Sequence, residues 1–147
     1  MGVASPGIIQ LNFTGSNRQA AVLNSDNTVN SSSNPAPRGS VIQVFGTGQG
    51  FTPGAPPDGA VPTSPVSTLS IPDVVIGACR VDDAGCNGGE SQEHVQYSGL
   101  SPYPGGWQVN VQIPQNVPPG LEPIFLGMNG IFSSDPNSGF HMVTYVK

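Results

Sequence analysis

WQVNVQIP, residues Trp107–Pro114, alternates without a break. Trp107, Val109, Val111 and Ile113 fall on one side, and Gln108, Asn110 and Gln112 on the other. Successive side chains of a strand point to opposite faces, so this period of two predicts a strand with one face on a core and one in water. The segment therefore calls for a second layer to cover its apolar side.

The surrounding sequence supplies that layer as more strands. Downstream, QNVPPG is turn chemistry, and EPIFLGM and IFSS flank Asn129-Gly130, the strongest short hairpin signal. FHMVTYV (Phe140–Val146) closes the chain. Upstream lie GIIQLNF (Gly7–Phe13), QAAVLN (Gln19–Asn24), SVIQVFG (Ser40–Gly46) and DVVIGA (Asp73–Ala78). Two long excursions interrupt them. Thr47–Pro72 is rich in Gly, Pro and Ser, with a short edge strand expected near Val66–Ile71, and Cys79–Gly106 contains both cysteines. No segment sustains a 3.6-residue apolar period, and proline interrupts nearly every window, so helix is excluded beyond a turn or two. The expectation is a single all-β domain over residues 1–147: an antiparallel immunoglobulin-like β-sandwich with long Gly/Pro-rich loops, a small barrel being the alternative closure.

The glycine run FGTGQGF (Phe45–Phe51) tests whether this frame hides a nucleotide site. A phosphate cradle needs a helix N-terminus behind its glycines, or a P-loop lysine. FTPGAPPDG cannot form the helix, and no lysine follows, so the run reads as a strand ending in a turn that requires positive φ.

Composition narrows the function classes. The chain has 20 glycines and 16 prolines, only 9% charged residues, and a net charge of −5. Its basic residues are Arg18, Arg38, Arg80 and Lys147. Phosphate backbones and anionic lipid surfaces are held by clustered Lys and Arg, so neither nucleic acid nor a membrane surface is an expected partner. No apolar run approaches the ~18 residues of a membrane helix. MGVASPGII lacks the charged and apolar regions of a leader, and Met1 is read as the start of a piece of a longer secreted protein.

Cys79 and Cys86, in CRVDDAGC, have no third or fourth cysteine for zinc and lack the C-x-x-C redox spacing. A local disulfide is predicted, which implies an oxidising, secreted or cell-surface location. The histidines, His94 and His141, sit in no hydrolase motif. Most acids fall in turns, and the chain is expected not to be an enzyme. One loop, DDAGCNGGE, gathers Asp82, Asp83 and Glu90, a calcium candidate without EF-hand spacing; no other cofactor is expected. Tyr97, Tyr103 (within SPYPGG) and Trp107 put aromatics around one long insertion and are candidate ligand-stacking faces, although the strand alternation of Trp107 reads first as a core anchor. NFT (Asn12–Thr14) and NSS (Asn30–Ser32) match the glycosylation sequon. With lysine present only at Lys147, Gly7–Phe13 and Phe140–Val146 also read as unguarded sheet edges open to pairing.

Several stretches carry a family resemblance. SPGIIQLN, QAAVLNSDNTVNSSSNPAPRGSVIQVFGTGQG, PDGAVPTSP, DVVIGA and WQVNVQIPQNVPPGLEPIFLGMNGIFSS resemble an immunoglobulin-like, IPT/TIG-like C-terminal domain family of large secreted acidobacterial proteins. The resemblance covers most of the chain except Cys79–Gly106, and implies a fold with no assigned catalytic residues. The functional expectation is a non-catalytic extracellular module, a spacer, adhesion or assembly domain that meets neighbouring domains or other copies. The alternative is a carbohydrate-binding module that uses the aromatics of the 79–107 insertion on glycans.

Overall fold

The computed structural model describes residues 3–11, 18–57, 59–89, 92–102, 106–134 and 141–147. Strand β8 (Trp107–Gln112) lies inside a five-stranded sheet between β4 (Val41–Thr47) and β7 (Val95–Leu100), antiparallel to both. The register places Val109 opposite Val44 and Val111 opposite Ile42, so the apolar rows of the two strands coincide. Trp107, Val109, Val111, Ile113, Ile42 and Val44 are all completely buried. Each such aliphatic side chain gains about 1.5–3 kcal/mol relative to exposure. The other edge of β4 takes two short strands in tandem, β1 (Gly7–Ile8) against Gly46–Thr47 and β3 (Val22–Leu23) against Gln43–Val44.

The covering layer is a six-stranded sheet. Its path runs β2 (Arg18–Gln19), β11 (Met142–Val146), β9 (Gly120–Met128), β5 (Asp73–Ile76), β6 (Cys79–Arg80), and β10 (Ile131–Phe132) hairpins back onto β9. The hairpin turns at Asn129-Gly130, where φ is 53° and 82°, the two positive values that the sequence signal predicts. Val74, Ile76, Ile124, Leu126 and Val146 face the first sheet and complete one core. The molecule is therefore an all-β sandwich, as the alternating pattern of β8 requires.

Four local outcomes differ from the sequence expectation. First, β11 and β2 pair in parallel, and the bridge from Ala36 to Val146 is parallel too. The cause for β2 is a strand that changes sheets: Arg18–Gln19 belong to the six-stranded sheet, Ala20 donates to Val143 O at 2.9 Å, and Val22–Leu23 join the five-stranded one. Such switches form the corners of sandwiches. Second, Cys79–Gly106 is not one loop, because it holds β6, a 3-10 turn at Ala84–Cys86 and β7. A bulge between Val95 and Tyr97 breaks the period of two in β7, which hid it in the sequence. Third, Met142–Val146 of the expected Phe140–Val146 strand does not leave an open edge, Phe140 lying outside the described residues. β11 has β9 on one side, and on the other β2, the side chain of Asn30 and Ala36. Fourth, Gly7–Phe13 is not left as an unguarded edge over its described part, because Ile9–Leu11 pair antiparallel with 19–21; Asn12–Phe13 lie outside the described residues.

The glycine run behaves as read. β4 continues through Gly46 to Thr47, and Gly48 and Gly50 then take φ of 78° and 84°. The Pro-rich excursion that follows returns along the free edge of β7. Thr68 donates to Ser98 O at 2.8 Å, and Leu100 donates to Val66 O at 2.9 Å. This is the edge contact expected near Val66–Ile71, reduced to a bridge at Ser67–Gly99.

Candidate functional site

Alternation that buries one side of β4 and β8 presents the other side to solvent. On that outer face stand Gln43 and Phe45 from β4, Gln108, Asn110 and Gln112 from β8, and Tyr97 from β7. It carries two concavities, one on each flank of the central amide rows.

The first is an apolar groove of about 340 Å³, lined chiefly by Ile9, Leu11, Leu23, Val29 and Phe45. Ile9, Leu11 and Val29 are 43%, 49% and 51% exposed. It exists because the switching strand brings 9–11 and 19–23 beside β4 while their second apolar side chains point away from the core. Large apolar side chains gathered in one place on a surface mark interaction sites.

The second concavity, about 420 Å³, lies between the β7–β8 pair and the Pro62–Pro65 segment. Tyr97, Gln108, Asn110, Pro62, Pro65 and Pro102 form most of its wall. The bulge after Val95 places Tyr97 opposite Asn110, on the outer face. Tyr97 is half-buried, and its hydroxyl donates to Leu100 O at 3.0 Å. Gly99 lies beneath: a Cβ there would collide with the Tyr97 phenol and with Val66 O, so only glycine lets ring and loop approach the strand. The side chains of β8 are ordered too, Gln108 Nε2 donating to Asn110 Oδ1 at 2.9 Å. From the inner side the wall is pinned by a polar chain. Trp107 Nε1 donates to Ser98 Oγ at 2.9 Å, and Ser98 Oγ lies 2.7 Å from Thr68 Oγ1 in the loop.

The three aromatic candidates thus part company. Tyr97 lines the cleft; Tyr103 lies outside the described residues. Trp107 is corrected as a ligand face: it is completely buried, its indole N–H spent on Ser98. Gln108 and Asn110, absent from the sequence-based candidates, complete the cleft wall. Their only signal in the sequence is the polar half of the β8 alternation, which looks the same whether it faces bulk water or a cleft.

The insertion's cysteines pair with each other, Cys79 with Cys86, their Cα atoms 5.7 Å apart. Asp82 Oδ1 accepts the backbone N–H of His94 at 2.7 Å. Asp83 precedes the 3-10 turn and accepts from the Cys86 N–H at 3.0 Å through its backbone carbonyl. Glu90 lies outside the described residues, among which no group of three or more His, Cys, Asp or Glu side chains is assembled for a metal. His94 is 3% exposed, with Nδ1 2.9 Å from Gln112 O. Its location ties the disulfide loop to β8. Arg80 pairs with Asp73 at the surface. Asn30, which heads the NSS sequence match, is 1% exposed and is enclosed by hydrogen bonds to the chain around it; Asn12 lies outside the described residues.

Comparison with protein families, with curated proteins and with solved structures finds no match for this chain.

Proposed function

We propose that this chain is a non-catalytic, extracellular immunoglobulin-like module that acts as a spacer, adhesion or assembly domain. The observation that carries the reading is the apolar groove of Ile9, Leu11, Leu23, Val29 and Phe45 on the outer face of the five-stranded sheet. Its side chains are exposed although the core beneath is full, so they serve contact with another surface rather than folding. Backbone pairing through β11 or through β7 is the less suitable mode of assembly, since both edges are covered from within the chain. The resemblance to IPT/TIG-like domains of secreted proteins supports the class. The Cys79–Cys86 bond supports an oxidising location. The ionisable groups support a non-catalytic role: Asp82 and His94 hold backbone, and Asp73 holds Arg80.

Sedimentation equilibrium over a concentration series tests the groove, with the double variant Ile9→Asp, Leu11→Asp as comparison and retention on a phenyl matrix as second readout. Concentration-dependent association of the wild type that the variant loses, with weaker retention, is the expected result. A monomeric wild type whose retention equals the variant's would overturn the assignment of the groove.

A further inference from the structure

We propose that the cleft between Tyr97, the Gln108–Asn110 pair and the Pro62–Pro65 segment is a binding site for a neutral saccharide. The site is separate from the apolar groove and goes beyond the assembly reading.

Three features of the wall specify the ligand class. The first is an aromatic face held rigid. The Tyr97 hydroxyl is occupied by Leu100 O, and the ring rests over Gly99, so what the tyrosine offers a ligand is its ring rather than its hydroxyl. Aromatic faces pack on the C–H faces of sugar rings at low entropic cost, because few torsions need to be frozen. The second is the amide pair. The bond from Gln108 Nε2 to Asn110 Oδ1 leaves the other half of each group, Gln108 Oε1 as acceptor and Asn110 Nδ2 as donor. An acceptor and a donor fixed side by side suit two adjacent sugar hydroxyls, since every hydroxyl both donates and accepts. The third is charge: among the described residues the lining is Pro, Thr, Ser, Tyr, Leu, Gln and Asn, with no side chain charged at neutral pH. An anionic sugar or a phosphate would find no counter-charge, whereas a neutral ligand pays no desolvation of an unpaired ion. The cleft's volume, about 420 Å³, falls within the ~300–1,000 Å³ usual for small-molecule sites.

The position is also preorganised. The bulge sets Tyr97 opposite Asn110, Gly99 admits the ring, and the Trp107–Ser98–Thr68 chain holds the opposing loop against β7. The ligand would not have to order the wall on entry. Only one aromatic faces the ligand among the described residues, so weak affinity is expected.

Titration of ¹⁵N-labelled protein with cellohexaose, mannohexaose and xylohexaose, with an oligogalacturonide as charged comparison, tests the site by heteronuclear NMR. At least one neutral oligosaccharide should give saturable shifts of the Gln108 and Asn110 side-chain amides. Gln108→Ala, on the outer face and outside the core, should weaken that binding about tenfold or more. Tyr97→Phe should retain it, because the ring remains, and Tyr97→Ala should abolish it. Gln108→Ala keeps the test valid if Tyr97→Ala does not fold. Four outcomes would overturn the proposal: no shifts with any neutral probe at roughly 10 mM, binding indifferent to Gln108→Ala, tighter binding of the oligogalacturonide, or shifts confined to the Ile9–Phe45 groove. The last of these would leave the groove as a contact surface standing.

Discussion

The side chain of Asn30 pairs with the backbone of Tyr145 as a neighbouring strand would. Asn30 Nδ2 donates to Tyr145 O at 2.8 Å, and Tyr145 N–H donates to Asn30 Oδ1 at 2.8 Å. The same carboxamide also donates to Asn24 Oδ1 at 3.0 Å and accepts from Thr144 Oγ1 at 3.0 Å. Its backbone reaches the other sheet, the Asn30 N–H donating to Val22 O at 2.9 Å. Between β2 and Ala36, one buried asparagine thus closes that side of β11 with its side chain and joins it to β3 of the opposite sheet through its backbone.

Truncating that amide leaves several buried donors and acceptors without partners at once. Asn30→Ala should therefore cost about 3 kcal/mol, at the upper end of the range for unsatisfied buried polar groups. Asn30→Asp should be destabilising as well, since a carboxylate cannot donate to Tyr145 O or Asn24 Oδ1. Urea unfolding of the three proteins measures this. An Asn30→Ala midpoint equal to the wild type's would mean that the network contributes nothing net.

The core face of β8 makes a second prediction. Val111 is completely buried opposite Ile42, and an ionised carboxylate there has no partner. Val111→Asp should lose several kcal/mol or fail to fold, whereas Asn110→Asp, one residue away on the outer face, should remain folded. Thermal melts of the pair decide it, and equal melting temperatures would contradict the register.

Cys79 and Cys86 close a short loop. Native, unreduced protein should weigh about 2 Da less than the reduced chain, and the Cys79→Ser, Cys86→Ser double variant should be less stable by about 2.5 kcal/mol in the chain-entropy picture. Quantitative alkylation of two thiols in unreduced native material would exclude the bond.

Glu122 supplies a pH dependence with a definite sign. It sits on β9 opposite Thr144, close to Gly77, and burial raises its pKa above the ordinary carboxylate value. A carboxyl whose folded pKa exceeds its unfolded one binds its proton more tightly in the native state, so it lowers stability as pH rises through the unfolded and then the folded value. Glu122→Gln removes this loss. The variant should melt above the wild type at pH 7, and the difference should shrink towards pH 3. A variant that melts lower at pH 7 and gains relative to the wild type at pH 3 would reverse the sign and refute the burial argument.

Local chemistry in the sequence determined the all-β class, the core-facing side of β8, the Asn129-Gly130 hairpin, the glycine turn after β4 and the Cys79–Cys86 pair. Each rests on neighbours in the chain: a period of two, positive-φ residues in a turn, and two thiols seven residues apart. Tertiary structure alone decided the rest. β7 was illegible because its bulge disrupts the alternation and because Ser98 and Gly99, which carry no large apolar side chain, are buried with the help of a loop some thirty residues earlier in the chain. The change of sheet along 18–23 requires both sheets to exist before either half of the strand has a partner. Asn30 carries an exposed-looking sequon, yet its environment is made by Tyr145, 115 residues away. Trp107 and Tyr97, close in sequence and alike in composition, end on opposite faces of one sheet, since the pleat assigns sides by register and not by residue type.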